Sequence, residues 1–136
     1  MKKFTSTLLL IGSLFLLDVA RADDTPLGEQ MSAMNDAYKA MGKETDAAKG
    51  ATLAREAQTA MLKSLEFKPE AFDKLFPDKA VAAKAMVEYR YMIGEAFVIF
   101  CKVEMAFLEG KPDDVKKLLA EAKDLKKAGH DKFMEE

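Results

Sequence analysis

Apolar residues recur at steps of three and four residues along almost the whole chain after residue 25, and no stretch alternates apolar and polar residues. The first pattern places apolar side chains along one face of an α-helix, whereas strict alternation would be typical of a half-buried strand. Glycine and proline are sparse and divide the pattern into four long segments. Each segment has one apolar face that must be buried against the others. The sequence therefore predicts an all-α protein, an antiparallel up-down-up-down four-helix bundle.

Capping residues, prolines and glycines set the predicted helix boundaries. The first helix begins at Pro26, behind the capping Thr25, and is ended by Gly42. The last helix opens at Pro112, directly after the turn at Gly110, which is expected to adopt the left-handed conformation. The two helices between them are predicted from residue 45 or 46 to about residue 64, and from about residue 79 to residue 109.

The longest connection, residues 66–78, contains two prolines and three phenylalanines. This composition predicts an ordered loop with one short helical turn over residues 70–75. Its aromatic side chains are expected either to cover the adjacent end of the bundle or to anchor the loop, and the sequence does not choose between these roles.

Residues 1–22 carry the features of a secretory signal peptide. Two lysines precede an apolar run over residues 8–17, and the segment ends in a small-x-small cleavage signal, Ala-Arg-Ala, at residues 20–22. The apolar run is shorter than the ~20 residues needed to span a bilayer. We therefore expect cleavage after Ala22, export to the periplasm, and a mature domain over residues 23–136 without a membrane span.

Charge, cysteine content and histidine content argue against several classes of protein. The formal net charge is −2 at pH 7, which does not favour nucleic acid as a partner because nucleic acid selects basic surfaces. Cys101 is the one cysteine, so no internal disulfide forms and this residue is expected to be a small buried apolar side chain. No second histidine exists for a metal triad or a Ser-His-Asp device, and one histidine cannot supply a di-iron carboxylate site. We therefore do not expect an enzyme.

The one histidine, His130, lies on the apolar stripe of the last predicted helix. In the predicted topology the first helix begins at the end of the bundle where the last helix finishes. At ~1.5 Å per residue, Met31 and His130 then lie about 8–9 Å from that end and face one cavity at the same depth. Haem iron accepts a neutral imidazole on one side and a thioether on the other. Met34 and Met61 remain alternative sulfur ligands if the register of the helices differs.

The first predicted helix contains LGEQMSAMNDAYKAM, residues 27–41. In it a methionine, Met31, is followed four residues later by Asn-Asp, residues Asn35 and Asp36. This pattern resembles the first helix of the cytochrome b562 family.

The same resemblance continues at the other end of the chain. A turn similar to the family's EGK turn lies at residues 109–111, and His130 follows its glycine by twenty residues, inside an Ala-x-His-x-Lys-aromatic pattern over residues 128–133. The resemblance covers nearly the whole of residues 23–136. It implies that Met31 and His130 are the axial ligands of one non-covalent haem b per chain.

Residues 126–130 read Lys-Lys-Ala-Gly-His, where related c-type bundles carry the Cys-x-x-Cys-His pattern that attaches haem covalently. We therefore expect exchangeable haem b. Lys126, one turn before His130, is expected either to pair with a haem propionate or to extend into solvent along the edge of the bundle.

The resemblance implies a periplasmic electron-transfer protein that exchanges single electrons with redox partner proteins, as a monomer or a weak dimer. Two other interpretations stay open. One is a haem-free periplasmic helical binding or stress module in which His130 has no special role. The other is a haem store or sensor in which Met31 is a labile ligand.

Overall fold

The computed structural model describes residues 24–135, so the predicted signal peptide lies outside the described residues. Within that part of the chain every regular element is a helix. The helices are, in chain order, α1 (Pro26–Met41), α2 (Ala47–Ser64), α3 (Phe72–Leu75), α4 (Lys79–Leu108) and α5 (Pro112–Phe133). The all-α class and the four long helices are therefore confirmed, and α3 is the short turn expected in the loop. No helix among the described residues has the length and apolar character needed to cross a membrane.

Side-chain caps fix where three of the long helices begin. The Thr25 hydroxyl accepts a hydrogen bond of 3.0 Å from the Gly28 amide at the start of α1. Asp46 accepts one of 2.8 Å from the Lys49 amide at the start of α2, and Asp78 accepts from two amides in the first turn of α4. Each oxygen satisfies amides that have no partner inside the helix, which contributes about 1 kcal/mol per cap. Local sequence alone thus defines these boundaries.

The turn between α4 and α5 depends on Gly110, whose φ of 66° lies in the left-handed region. Glycine adopts this conformation without a steric penalty. Across the turn, the Lys111 amide donates a hydrogen bond of 2.9 Å to the Ala106 carbonyl. α5 then begins at once with Pro112, whose fixed φ suits the first helical position. The role predicted for Gly110 is therefore confirmed.

Small residues on α2 form the surface on which α1 and α4 pack. Its buried face carries one glycine and four alanines, namely Gly50, Ala51, Ala54, Ala57 and Ala60. Phe107 of α4 lies directly on this face. Its ring is so close that a Cβ added at Gly50 would be 2.3 Å from it. Small side chains on α2 thus allow α4 to approach closely and bring its bulky residues into the core.

The other close helix pair joins α5 to α4. Among the described residues, α1 and α5 do not pack closely on each other. These two helices therefore border a space in the bundle rather than a close helix interface.

Aromatic side chains anchor the long loop at one end of the bundle. The buried Phe72 of α3 lies with its ring centroid 4.9 Å from Phe76 and 6.4 Å from Phe133 of α5. Tyr89 of α4 meets Phe133 edge-on at 5.5 Å, and its hydroxyl donates a hydrogen bond of 3.2 Å to the Ser64 carbonyl at the end of α2. Of the two roles left open for the loop phenylalanines, Phe72 and Phe76 take the anchoring one.

Two apolar side chains, Leu65 and Cys101, are partly exposed. Leu65 is 38% exposed, because α2 ends at Ser64 and residue 65 is already its C-terminal cap. Cys101 is half-buried, not buried as expected, because it lies on the side of α4 that faces away from the core, between the exposed Val98 and Met105.

Candidate functional site

A cavity of about 380 Å³ lies between α1, α4 and α5, beside the loop that carries α3. Its wall is mostly apolar and receives side chains from all four long helices. This volume and this kind of wall are typical of a site for a small molecule or a cofactor. The polar side chains that line the cavity are Tyr38, Tyr89, Lys123, Lys126 and His130.

Met31 of α1 and His130 of α5 line this cavity together. Met31 is half-buried, whereas His130 is exposed although it forms part of the wall. The cavity is partly open to solvent. The structure thus brings the two residues singled out from the sequence to one cavity, and their role as iron ligands stays a prediction.

The surroundings of His130 favour its neutral form. Burial lowers the pKa of the imidazole below its ordinary value, the positive charge of Lys126 lowers it further, and the nearby Asp131 acts in the opposite direction. A lowered pKa keeps the ring neutral near pH 7, and only the neutral ring has a nitrogen lone pair to offer to a metal. The site therefore holds the histidine in the protonation state that a metal ligand requires.

A hydrogen bond joins α1 to α5 beside these two residues. Lys126 Nζ donates to Asn35 Oδ1 over 2.8 Å in a partly buried position. Asn35 follows Met31 by four residues and Lys126 precedes His130 by four, so each residue lies one turn from its neighbour on the same helix face. Lys126 is therefore engaged with Asn35 rather than extended into solvent, and its pairing with a haem propionate stays a prediction.

Five methionines line the cavity, namely Met31, Met34, Met61, Met92 and Met134. Met34 and Met61 expose only 8% and 2% of their surface and belong to the hydrophobic core. A thioether that fills a close-packed core is held in place by its neighbours and moves only at their expense. Met31, which is half-buried at the cavity wall, is less constrained, and this favours it over the two alternatives.

Three residues of the wall, Pro69, Met92 and Met134, do not follow from the sequence pattern. Met92 directly precedes the buried Ile93 on α4 and is itself half-buried, so it lies beside the buried face of that helix. Its side chain reaches α5 next to the histidine: a Cβ at Gly129 would lie 3.7 Å from Met92 Cε, an ordinary van der Waals distance.

Three residues on the inner side of α2 or α4 do not line the cavity within residues 24–135: Ala57, Ala60 and Met86. The two alanines belong instead to the buried face of α2, and Met86 packs against the core from a half-buried position. The stripe of a helix thus identifies its inner face but does not separate residues at a cavity from residues at a helix contact.

The residues of the cavity fit a haem group. Its apolar wall suits the face of a porphyrin, and an imidazole and a thioether from two different helices would be available to hold the iron. Lys123 and Lys126 add positive charge at the lining, where acidic substituents of a cofactor can be stabilised.

Comparison with protein-family models matches residues 26–134 to the model for cytochrome b562. Comparison with the curated proteins and with the solved structures gave no match. The matched range runs from the first residue of α1 to one residue beyond α5 and so includes Met31, His130 and the cavity between them. The chain therefore belongs to the cytochrome b562 family, a family of haem-binding helical proteins.

Proposed function

We propose that the protein holds one non-covalent haem b between Met31 and His130 and transfers single electrons. The observation that carries this proposal is that these two side chains, from α1 and α5, line the same cavity. When bound, haem supplies reversible one-electron exchange between ferric and ferrous iron. The partners would be other redox proteins, which accept or donate the electron at the open side of the cavity.

The proposal includes an antiparallel up-down-up-down arrangement of the four long helices. Gly50, early in α2, lies against Phe107, late in α4. The carbonyl of Ser64, at the end of α2, accepts a hydrogen bond from the hydroxyl of Tyr89, in the first half of α4. Residue numbers that rise along one helix as they fall along its neighbour support an antiparallel pair. In such a bundle, short turns connect neighbouring helices and the cofactor site is built from facing side chains.

Met31 and His130 would set the properties of the site. His130, kept neutral by its surroundings, supplies a nitrogen donor. Met31 supplies a soft sulfur donor that stabilises the reduced state and so raises the reduction potential. Because the protein provides both donors, exogenous ligands must compete with a side chain, which suits electron transfer better than oxygen chemistry.

Non-covalent binding is supported by the position of the single cysteine. Cys101 is not among the residues from 24 to 135 that line the cavity. Covalent attachment of haem in related bundles uses cysteine side chains next to the ligand histidine, and residues 126–129 contain none. We therefore expect acid–acetone to extract the haem completely. Haem that stayed with the protein would contradict this part of the proposal.

We place the protein in the periplasm on the basis of residues 1–22, whose two lysines, apolar run and Ala-Arg-Ala ending are those of a signal peptide. Cleavage after Ala22 would leave Asp23 as the first residue of the mature protein. N-terminal sequencing of the exported protein tests this expectation directly.

The decisive experiment is the absorption spectrum of the protein purified after export, together with that of His130→Ala. We expect the sharp reduced bands of low-spin haem in the native protein and the loss of stable haem uptake in the variant. Lys127→Ala serves as the matched control, because Lys127 is an exposed residue of the same helix. A native protein without visible absorption, or a His130→Ala variant with an unchanged spectrum, would contradict the proposal.

A further inference from the structure

α4 carries a second apolar stripe, on the side that faces away from the core. Its members are Val87, Tyr91, Gly94, Val98, Cys101, Met105 and Leu108. Successive members are separated by steps that alternate between four and three residues. The five large side chains among them are each about half exposed or more. The steps average 3.5 residues, which is the repeat of a coiled-coil seam. Among the described residues, the helices that pack closely on α4 are α2 and α5, and these lie on its inner side.

The size of this outer stripe sets it apart from scattered surface residues. From Val87 to Leu108 it extends roughly 30 Å along the helix. Charged residues bound it, with Lys84 in the preceding seam position and Glu109 after its last member. A contiguous exposed apolar strip with polar borders is characteristic of an interaction surface. We propose that the outer stripe of α4 binds the same stripe of a second copy of the chain, antiparallel and related by a two-fold axis.

The sequence of the stripe is self-complementary in one antiparallel register. That register sets Val98 opposite Cys101 of the second copy and Gly94 opposite Met105 of the second copy. Gly94 is a small residue whose position is open, since a Cβ added there would meet nothing within 4 Å. Packing inside the chain therefore does not explain why a helix-weakening residue stands there. In the dimer, the long side chain of Met105 fills the space left by the glycine, and the two-fold axis repeats this contact.

Charges beside the stripe support the same register. Glu95 lies four residues after Tyr91 of the stripe, and Lys102 lies four residues after Val98. Both charges therefore flank the stripe on the same side. In an antiparallel coiled coil, such flanking positions of the two helices face each other. The register places Glu95 of each copy beside Lys102 of the other, which gives two ion pairs across the dimer.

The next residues in this flanking row, Glu88 and Glu109, would face each other across the dimer. Within the chain, each carboxylate is already paired, Glu88 with Lys132 and Glu109 with Lys111. Their negative charges are thus compensated and do not oppose the association. A parallel pair of helices would instead set Gly94 against Gly94 and leave Lys102 without an acidic neighbour in this row.

Sedimentation equilibrium of the protein as purified, from low micromolar to millimolar concentration, tests the dimer. We expect a monomer–dimer equilibrium and a dissociation constant raised about 30-fold or more by Val98→Lys. Val81→Lys is the matched control: Val81 is 54% exposed against 49% for Val98, lies on the same helix and is outside the stripe. Circular dichroism verifies that both variants fold. A protein that stays monomeric, or a Val98→Lys variant that dimerises as the native protein does, overturns the proposal and leaves the stripe to a different partner.

Charge exchange tests the orientation. Glu95→Lys and Lys102→Glu should each weaken dimerisation, and the double variant should restore it to within about threefold of native, because each new charge again meets its opposite. If the double variant is as weak as the sum of the single ones, the antiparallel register is wrong.

Discussion

Lys126 of α5 donates a hydrogen bond of 2.8 Å to Asn35 of α1. Lys126 lies one helical turn before His130, and Asn35 lies one helical turn after Met31. The long side chain of Lys126 is needed for this bond because, within residues 24–135, α1 and α5 do not pack closely on each other. The bond therefore links the two helices across the cavity. If the helices run antiparallel, the register that joins Asn35 to Lys126 also sets Met31 opposite His130.

Removing either partner of this bond should loosen the site. Asn35→Ala and Lys126→Met are each expected to lower the free energy of unfolding by about 1 kcal/mol and to weaken haem binding. A double-mutant cycle followed by urea unfolding should give a coupling of about 1 kcal/mol, because the two side chains depend on each other. Lys127→Met removes a lysine that forms only an exposed pair with Asp131 and should have little effect. Additive effects of Asn35→Ala and Lys126→Met would show that the hydrogen bond does not couple the helices.

The helix boundaries could be predicted from the sequence because they are decided locally. Thr25, Asp46 and Asp78 cap helices through amides two or three residues away, and Gly110 acts through its own φ. Such signals do not depend on the rest of the fold. The short α3 was foreseen for a similar reason, from the prolines on either side of it.

The cavity wall was harder to predict because it depends on how each helix is rotated against the others. Met86 and Met92 both lie on α4 near its inner face, yet only Met92 lines the cavity among the described residues. Met92 Cε reaches van der Waals distance of a Cβ placed at Gly129 on α5, and the periodicity of the sequence does not report such a tertiary contact. The outer stripe of α4 is a different case: its heptad spacing is visible in the sequence, but its exposure becomes evident only once the inner face is fixed.

Acid should weaken a network between α2 and α4. Glu104 accepts hydrogen bonds of 2.6 Å from Arg55 and from Gln58. These hydrogen bonds, that from Arg55 more than that from Gln58, lower the pKa of the Glu104 carboxyl below 4.5. The unfolded chain then binds a proton more readily than the folded one, so this contribution to stability is present above pH 4.5 and is lost as the pH falls through the lowered pKa. Glu104→Gln should remove this part of the pH dependence in urea unfolding between pH 3 and 6. Glu56→Gln, which changes an exposed carboxylate of α2, should leave it in place, and identical pH profiles for Glu104→Gln and the native protein would refute the assignment.

Gly50 should not tolerate a side chain. The added Cβ of Gly50→Ala would lie 2.3 Å from the Phe107 ring, and overpacking of this kind typically costs about 1–3 kcal/mol. Phe107→Leu should recover part of the loss in the double variant by removing the ring. Gly94→Ala, for which the added Cβ meets nothing within 4 Å, should instead gain up to about 1 kcal/mol from helix propensity. Unfolding by urea at low protein concentration measures all four variants, and a Gly50→Ala protein as stable as the native one would contradict the close packing of α2 on α4.

The identity of the sulfur ligand can be decided by replacing methionines with leucine, which has a similar volume and removes only the sulfur. Met31→Leu is expected to convert the low-spin spectrum to a high-spin one, to lower the reduction potential because a soft donor to ferrous iron is lost, and to allow carbon monoxide to bind rapidly to the reduced protein.

Met34→Leu and Met61→Leu are the matched controls for that substitution. Both methionines line the same cavity but are held in the core at 8% and 2% exposure, so both variants should keep the low-spin spectrum. If either of them becomes high-spin while Met31→Leu does not, the ligand is reassigned to that residue and the register between α1 and α5 must differ from the one that Asn35 and Lys126 support. Rapid carbon monoxide binding by the native protein would have a different meaning: the thioether bond would be labile, as expected for a haem store or sensor and not for an electron carrier.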